Sequence, residues 1–231
     1  MFADAKRERL EKELSAAQKE LADAAKYITD KRCDAARRLE QGIMSKLSEL
    51  DMARVKFEVH FETESDVSKY TNVGADKVEF LISPNPGEEV KPLAKIASGG
   101  ELSRIMLAMI NVLFDAEPVD TLVFDEIDMG ISGRAAAKVA RALYEISLHR
   151  QVLCVTHLAQ LALMADSHFY IEKNTVDEST TTSVYQLPYE ERLNEIARIT
   201  GGDKITELSL NNAKEMLLMA ATQKSEIKNK V

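Results

Sequence analysis

Four short stretches stand out, and the first two hold residues whose types and spacing suit phosphate and magnesium chemistry. The first is Ser98-Gly99-Gly100-Glu101, just before the apolar-periodic run Leu102, Ile105, Met106, Met109, Ile110 and Leu113. That pattern predicts a helix start whose unpaired backbone N–H groups a bulky anion can approach closely, because glycine leaves room. The same residues also read as a plain capping box, with Ser98 at the N-cap and Glu101 three residues on. The second stretch is Asp125-Glu126, directly after the apolar run Thr121-Leu122-Val123-Phe124. Carboxylates at the C-terminal end of a buried parallel strand stand where α/β folds place ligands, and they suit a magnesium ion and an activated water. As plain residues they would be solvated or would cap a helix. The third is the loop Ile127 to Arg134, which carries Asp128, Gly130, Ser132 and Gly133. The fourth is His157, which follows the apolar run Val152 to Thr156 and so falls on the same edge as the two acids. A lone histidine is also a common structural residue.

The elements that must position these groups can be read from the periodicity. Residues 3 to 50 contain no proline and one glycine, Gly42. Leu10, Leu14, Ala17, Leu21, Ala24 and Ile28, then Ala35 past Lys31, follow alternating steps of four and three, a heptad seam. The seam continues after a stutter through Leu39, Ile43, Leu47 and Leu50. Such a helix reaches on the order of 70 Å and needs a partner helix to cover its stripe. Val55, Phe57, Val59 and Phe61 alternate with polar residues, as in a half-buried strand. A polar stretch over 62–77, a strand over 78–82 and a turn over 83–89 come next. A helix over about 101–115, the strand 121–124 buried on both faces, and a helix over about 133–149 with Val139, Ala140, Leu143 and Ile146 inward follow. Then come a buried strand over 152–156, a helix over 158–165 and a hairpin of strands 169–171 and 182–187 around a polar turn at 174–180. The chain finishes with a helix over 189–199 stopped by Gly201-Gly202, a helix over 206–221, and a frayed lysine-rich tail over 224–231. The domain expectation is a coiled-coil helix over 1–52, an α/β lobe over 53–223 and a flexible basic tail over 224–231.

Composition sets the outer bounds. Of 231 residues, 45 % are hydrophobic, enough for a real core, and the net charge is −8, which argues against a basic DNA-binding surface spread over the whole molecule. Lys6, Arg7, Arg9 and the cluster Lys31, Arg32, Arg37 and Arg38 read as solvated coiled-coil positions or as a local phosphate-binding patch. Two cysteines, Cys33 and Cys154, build neither a disulfide framework nor a cysteine zinc site, which fits a reducing cytoplasm. No leader and no membrane span is expected.

Glycine turn and helix, strand and Asp-Glu, then strand and Thr-His is an order that resembles the C-terminal lobe of ATP-binding-cassette ATPases. Ser98 to Arg104 is similar to their signature motif, Thr121 to Glu126 to the Walker B strand, Asp128 to Gly133 to the D-loop and His157 to the switch histidine. The long heptad helix and the wording Asp125-Glu126-Ile127-Asp128 resemble the SMC-like branch, in particular its bacterial DNA-repair members, over essentially residues 10–222. The resemblance implies an α/β fold, the C-terminal lobe of a P-loop NTPase head with parallel core strands, preceded by one strand of an antiparallel coiled coil. It implies an ATP site shared between two heads. Ser98, Gly99, Gly100 and Glu101 would meet the γ-phosphate of the opposite head. Asp125 would hold Mg²⁺, through water, Glu126 would act as general base, and His157 would sense the γ-phosphate. Arg104 would project from the first helical turn. Asp128, Gly130, Ser132 and Gly133 would form the D-loop.

No G-x-x-x-x-G-K-[ST] occurs among the nine glycines, so the phosphate cradle is expected in an N-terminal half, which also supplies the partner helix. The chain alone is then expected to be an inactive ATPase. The resemblance further implies DNA, a homodimer of heads and recombination proteins as partners, a cytoplasmic, nucleoid-associated location, and repair of double-strand breaks. Other readings are another SMC-like head, a transporter subunit, or a coiled-coil scaffold with a degenerate cassette.

Overall fold

With nothing to interrupt it, the first helix, α1, runs Phe2–Glu49. The structure, a computed structural model, describes residues 2–83, 87–95, 99–114, 119–176 and 179–229. The chain packs as two units, residues 1–48 with 52–97, and residues 49–51 with 98–231.

In the first unit α1 is followed by β1 (Lys56–Thr63), β2 (Asp76–Ser83) and the short β3 (Lys91–Pro92), an antiparallel sheet in the order β1-β2-β3. Val55, Phe57 and Val59 are buried while Lys56, Glu58 and His60 are exposed, the alternation expected of a one-sided sheet. Phe57 pairs with Ile82 across the ladder. The polar stretch after β1 is shorter than expected. Strand pairing runs from Thr63 to Asp76, and a 3₁₀ turn, Val67–Lys69, fills the gap. The helix carries two stripes rather than one seam with a stutter. Ala25, Ala36, Ile43 and Leu47 are buried, and Glu40 accepts the Val59 N–H at 2.7 Å. The heptad residues Leu10, Leu14, Leu21 and Ile28 lie 38–58 % exposed, and Ala35 is exposed too. The side chain of Asp76 is fully buried against this helix. Thr29 (2.8 Å), Arg32 (2.9 Å) and Thr63 (2.9 Å) all donate to it. Burial alone would raise its carboxyl, but these donors outweigh burial and hold it below the ordinary carboxylate value.

The second unit holds α2 (Gly99–Val112), β4 (Thr121–Phe124), α3 (Gly133–Ser147), β5 (Gln151–Cys154), α4 (Ala159–Met164), β6 (Phe169–Val176), β7 (Ser179–Gln186), α5 (Tyr189–Gly201) and α6 (Glu207–Lys228). β4 and β5 are parallel and in register, Val123 beside Leu153 and Phe124 beside Cys154. The expected burial on both faces does not hold. Phe124 is buried, but Val123 is 68 %, Leu153 48 % and Val155 50 % exposed, so one apolar face of the pair is open in this chain. α3 buries Val139, Ala140, Leu143 and Ile146 as expected. α2 turns slightly differently from the expected stripe: Arg104, Leu107 and Ala108 face inward and Met106 outward. β6 and β7 extend through most of the expected turn, leaving residues 177–178 outside the described set. α6 opens on a capping box between Thr206 and Ser209 and does not fray at residue 224. Its helix continues to Lys228 because Ile227 is buried and Lys224 pairs with Asp166 and lies over the Tyr144 ring. No described helix is long and apolar enough to cross a membrane.

Candidate functional site

The site lies at the C-terminal ends of β4 and β5. β4 stops at Phe124, and Asp125 and Glu126 emerge exposed beyond it, with Asp125 Oδ1 accepting the Glu126 N–H at 2.9 Å. Glu126 holds a left-handed φ of +56°, a conformation that costs a residue with a Cβ about 1 kcal/mol. That turn carries its carboxylate to the start of α2. A Cβ placed on Gly99 would stand 2.5 Å from Glu126 Oε2, so the acid occupies the positive end of the helix. Gly100 packs against backbone, its notional Cβ 2.7 Å from the Met129 carbonyl oxygen. Ser98, the first residue of the expected anion turn, lies outside the described residues.

α2 is fastened to the acidic loop by two side chains, Ser103 and Arg104. Ser103 Oγ donates to the Asp125 carbonyl at 3.1 Å. Arg104, expected to project from the first helical turn, is buried, and its Nη1 donates to the carbonyls of Met129 (2.9 Å) and Ile127 (3.3 Å). Burial lowers its guanidinium from the ordinary value, and the charge of Glu101, in the first turn of α2, offsets part of that. A signal existed: Arg104 stands three and four residues before the buried Leu107 and Ala108, a core position for a charged residue.

Asp128, expected in the D-loop, lies in the loop after β4. Its side chain is only 4 % exposed, and it links the loop after β4 to the loop after β5. Asp128 Oδ2 accepts from the Thr156 hydroxyl, from the His157 N–H at 2.9 Å, and lies 3.1 Å from His157 Nδ1. The His157 ring is 74 % exposed. Past Asp128 the loop turns through Gly130 (φ +76°), a conformation that suits glycine. Ser132, at the N-cap of α3, has no side-chain capping bond. Beside the site, burial first, then Asp128 and Asp125, push the Cys154 thiol up to about 12, which disfavours its thiolate.

The structure thus brings Gly99, Gly100, Asp125, Glu126, Asp128 and His157 to one end of a parallel strand pair. Asp125 and Glu126 offer exposed carboxylate oxygens, which suit a hard cation. Among the described residues no three acids, histidines or cysteines converge as a closed metal site, so a cation there would need further ligands from a nucleotide or water.

No family model matches the chain. It is 43 % identical over 225 residues to the DNA repair protein RecN of Halalkalibacterium halodurans, covering 97 % of this chain and 40 % of that protein. The likeness runs over nearly all of this chain but only part of RecN. RecN of Bacillus subtilis is 39 % identical over 91 % of the chain, and RecN of Haemophilus influenzae 45 % over 84 %. The chain spans 34–40 % of the length of these three RecN proteins. Among solved structures, the Smc head domain with a coiled coil and joint from Pyrococcus yayanosii superposes with a TM-score of 0.57 at 20 % identity, covering 85 % of this chain and 36 % of that one. The Smc head from Pyrococcus furiosus superposes with a TM-score of 0.52, also at 20 % identity, covering 85 % of this chain and 46 % of that one. These likenesses show the fold, an α/β arrangement shared with Smc head domains.

Proposed function

We propose that this chain is the C-terminal part of an SMC-like DNA-repair ATPase that acts in recombinational repair of double-strand breaks. The observation that carries the reading is the convergence of Asp125, Glu126 and His157 at the open end of β4 and β5, in a chain that matches RecN. ATP and Mg²⁺ would supply the phosphoanhydride and the charge that neutralises it. Asp125 would hold the cation through water, Glu126 would take the proton of the attacking water, and His157 would meet the γ-phosphate. Ser98, Gly99, Gly100 and Glu101 would face the nucleotide of a second head, and Asp128, Gly130, Ser132 and Gly133 would line the join between heads. On this reading Glu126 leaves its place beside Gly99 when a phosphate takes the helix end.

Two open apolar faces support an N-terminal half of the same protein. One is the strand face of Val123, Leu153 and Val155, and the other is the stripe of Leu10, Leu14, Leu21 and Ile28. The second would be covered by the antiparallel partner of a coiled coil over residues 1–52, leaving 53–223 as the lobe. DNA and recombination proteins are the partners this reading assigns, in the bacterial cytoplasm near the nucleoid. In the complete protein Glu126→Gln should retain ATP binding, lower turnover about 10²–10⁴-fold and trap paired heads, measured by steady-state ATPase and sedimentation. Normal turnover in that variant would remove Glu126 from catalysis.

A further inference from the structure

We propose that Asp128 is a positioning residue that fixes His157 in its Nδ1–H tautomer and aims Nε2 at the nucleotide side. The inference rests on the ATPase reading for its consequence and on geometry alone for its substance. One carboxylate oxygen, Oδ2, accepts from the Thr156 hydroxyl and the His157 backbone N–H, and the His157 ring nitrogen Nδ1 lies 3.1 Å from it. The acceptor is itself immobilised. Asp128 is buried, and Arg104 grips the carbonyls on either side of it, those of Ile127 and Met129. Thr156 is braced in turn, since its hydroxyl accepts the Leu158 N–H at 3.0 Å. An ionised carboxylate only accepts, so it attracts a proton on the ring nitrogen that faces it and repels a lone pair there. A histidine in water prefers the opposite tautomer, and a carboxylate behind the ring is the usual means of reversing that preference.

The consequence is directional. Nε2 stands on the far edge of a ring that is largely exposed, so it is the nitrogen offered to a ligand. In the neutral ring it is an acceptor. With a second proton it becomes a donor, and Asp128 balances the charge from behind. A buried acid in a loop that reads as part of an interface between heads thus acts inside its own head, on the histidine. Loss of Asp128 would leave His157 present but free to rotate and to change tautomer.

The test uses ¹⁵N-labelled histidine in this chain, with long-range ¹H–¹⁵N correlation at pH 8. His157 is assigned among His60, His149, His157 and His168 by its loss in His157→Gln. The wild-type chain should show His157 as the Nδ1–H tautomer, and Asp128→Ala should convert it to mainly Nε2–H. Nε2–H in the wild-type spectrum overturns the proposal whether or not the variant folds, as does an unchanged tautomer in a folded Asp128→Ala chain. In the complete protein Asp128→Asn should lower kcat about tenfold or more with KM for ATP within about twofold. An unchanged kcat in an active enzyme would refute the positioning role. A complete wild-type protein without ATPase activity would refute the functional reading and leave the tautomer assignment standing.

Discussion

At the residue scale, two neighbouring glycines carry different constraints. Gly99 faces the tip of the flexible Glu126 side chain, and Gly100 faces the backbone carbonyl of Met129. A methyl group on Gly99 displaces a carboxylate that can rotate away. The same methyl on Gly100 must push apart α2 and a loop that Arg104 and Ser103 hold fast. Gly100→Ala should therefore lower stability by about 1–3 kcal/mol, and Gly99→Ala by much less, read from denaturant unfolding of the chain. Equal losses for the two would show that the loop, and not the side chain, sets the limit at both positions. The glycines and acids were legible from their order along the sequence. The inward turn of Arg104 and the contact of Asp128 with His157 were not, because they join residues 23–29 apart through side-chain geometry that periodicity does not encode.

At the element scale, α1 is held to β2 by Asp76. Its carboxylate has no exposure and takes bonds from α1 at Thr29 and Arg32 and from β1 at Thr63. Asp76→Asn should cost roughly 1–3 kcal/mol, since a charge-assisted bond to Arg32 is lost and one amide nitrogen meets donors rather than acceptors. The sign of the pH effect follows from the depressed carboxyl. The stabilisation is complete above the unfolded-state value of about 4 and is lost as pH falls through the lower folded value. Thermal melts between pH 5 and 2.5 should show the wild-type chain losing more stability than Asp76→Asn, and parallel curves would remove Asp76 as the source. Sequence reading found α1 and β1 from periods of 3.6 and 2. It placed one seam on α1 because a heptad stripe ending at Ala35 and a packing stripe over 25–47 run close together on the same helix. Only the strands decide which of the two is covered.

At the scale of the whole molecule, the open strand face and the open helix stripe matter most. Val123 and Leu153 contribute little to this chain, because a side chain half or more exposed has gained little from burial. Val123→Thr with Leu153→Thr should leave the chain's unfolding midpoint nearly unchanged, within about 0.5 kcal/mol, and raise its solubility. If the proposed N-terminal half covers that face, the same pair should weaken reconstitution of ATPase activity when the two halves are mixed. A large loss of stability in the isolated chain would instead mean that the face is covered within it.

What the sequence determined by itself was the order of the chemistry: glycine turn, acid pair, glycine loop and histidine, each at the end of an element whose period names its type. Local backbone geometry and hydrophobic periodicity are properties of neighbouring residues, so they survive in a one-dimensional reading. The tertiary structure alone decided which faces are buried, that the helix after residue 206 runs on to Lys228 with Lys224 over the Tyr144 ring, and that Arg104 turns inward. It also decided that Glu126 rests against Gly99 and that Asp128 holds His157, since each of these depends on where a distant element happens to pack. The sequence placed an acid and a histidine on one edge, and the fold set one oxygen of that acid against one nitrogen of that ring.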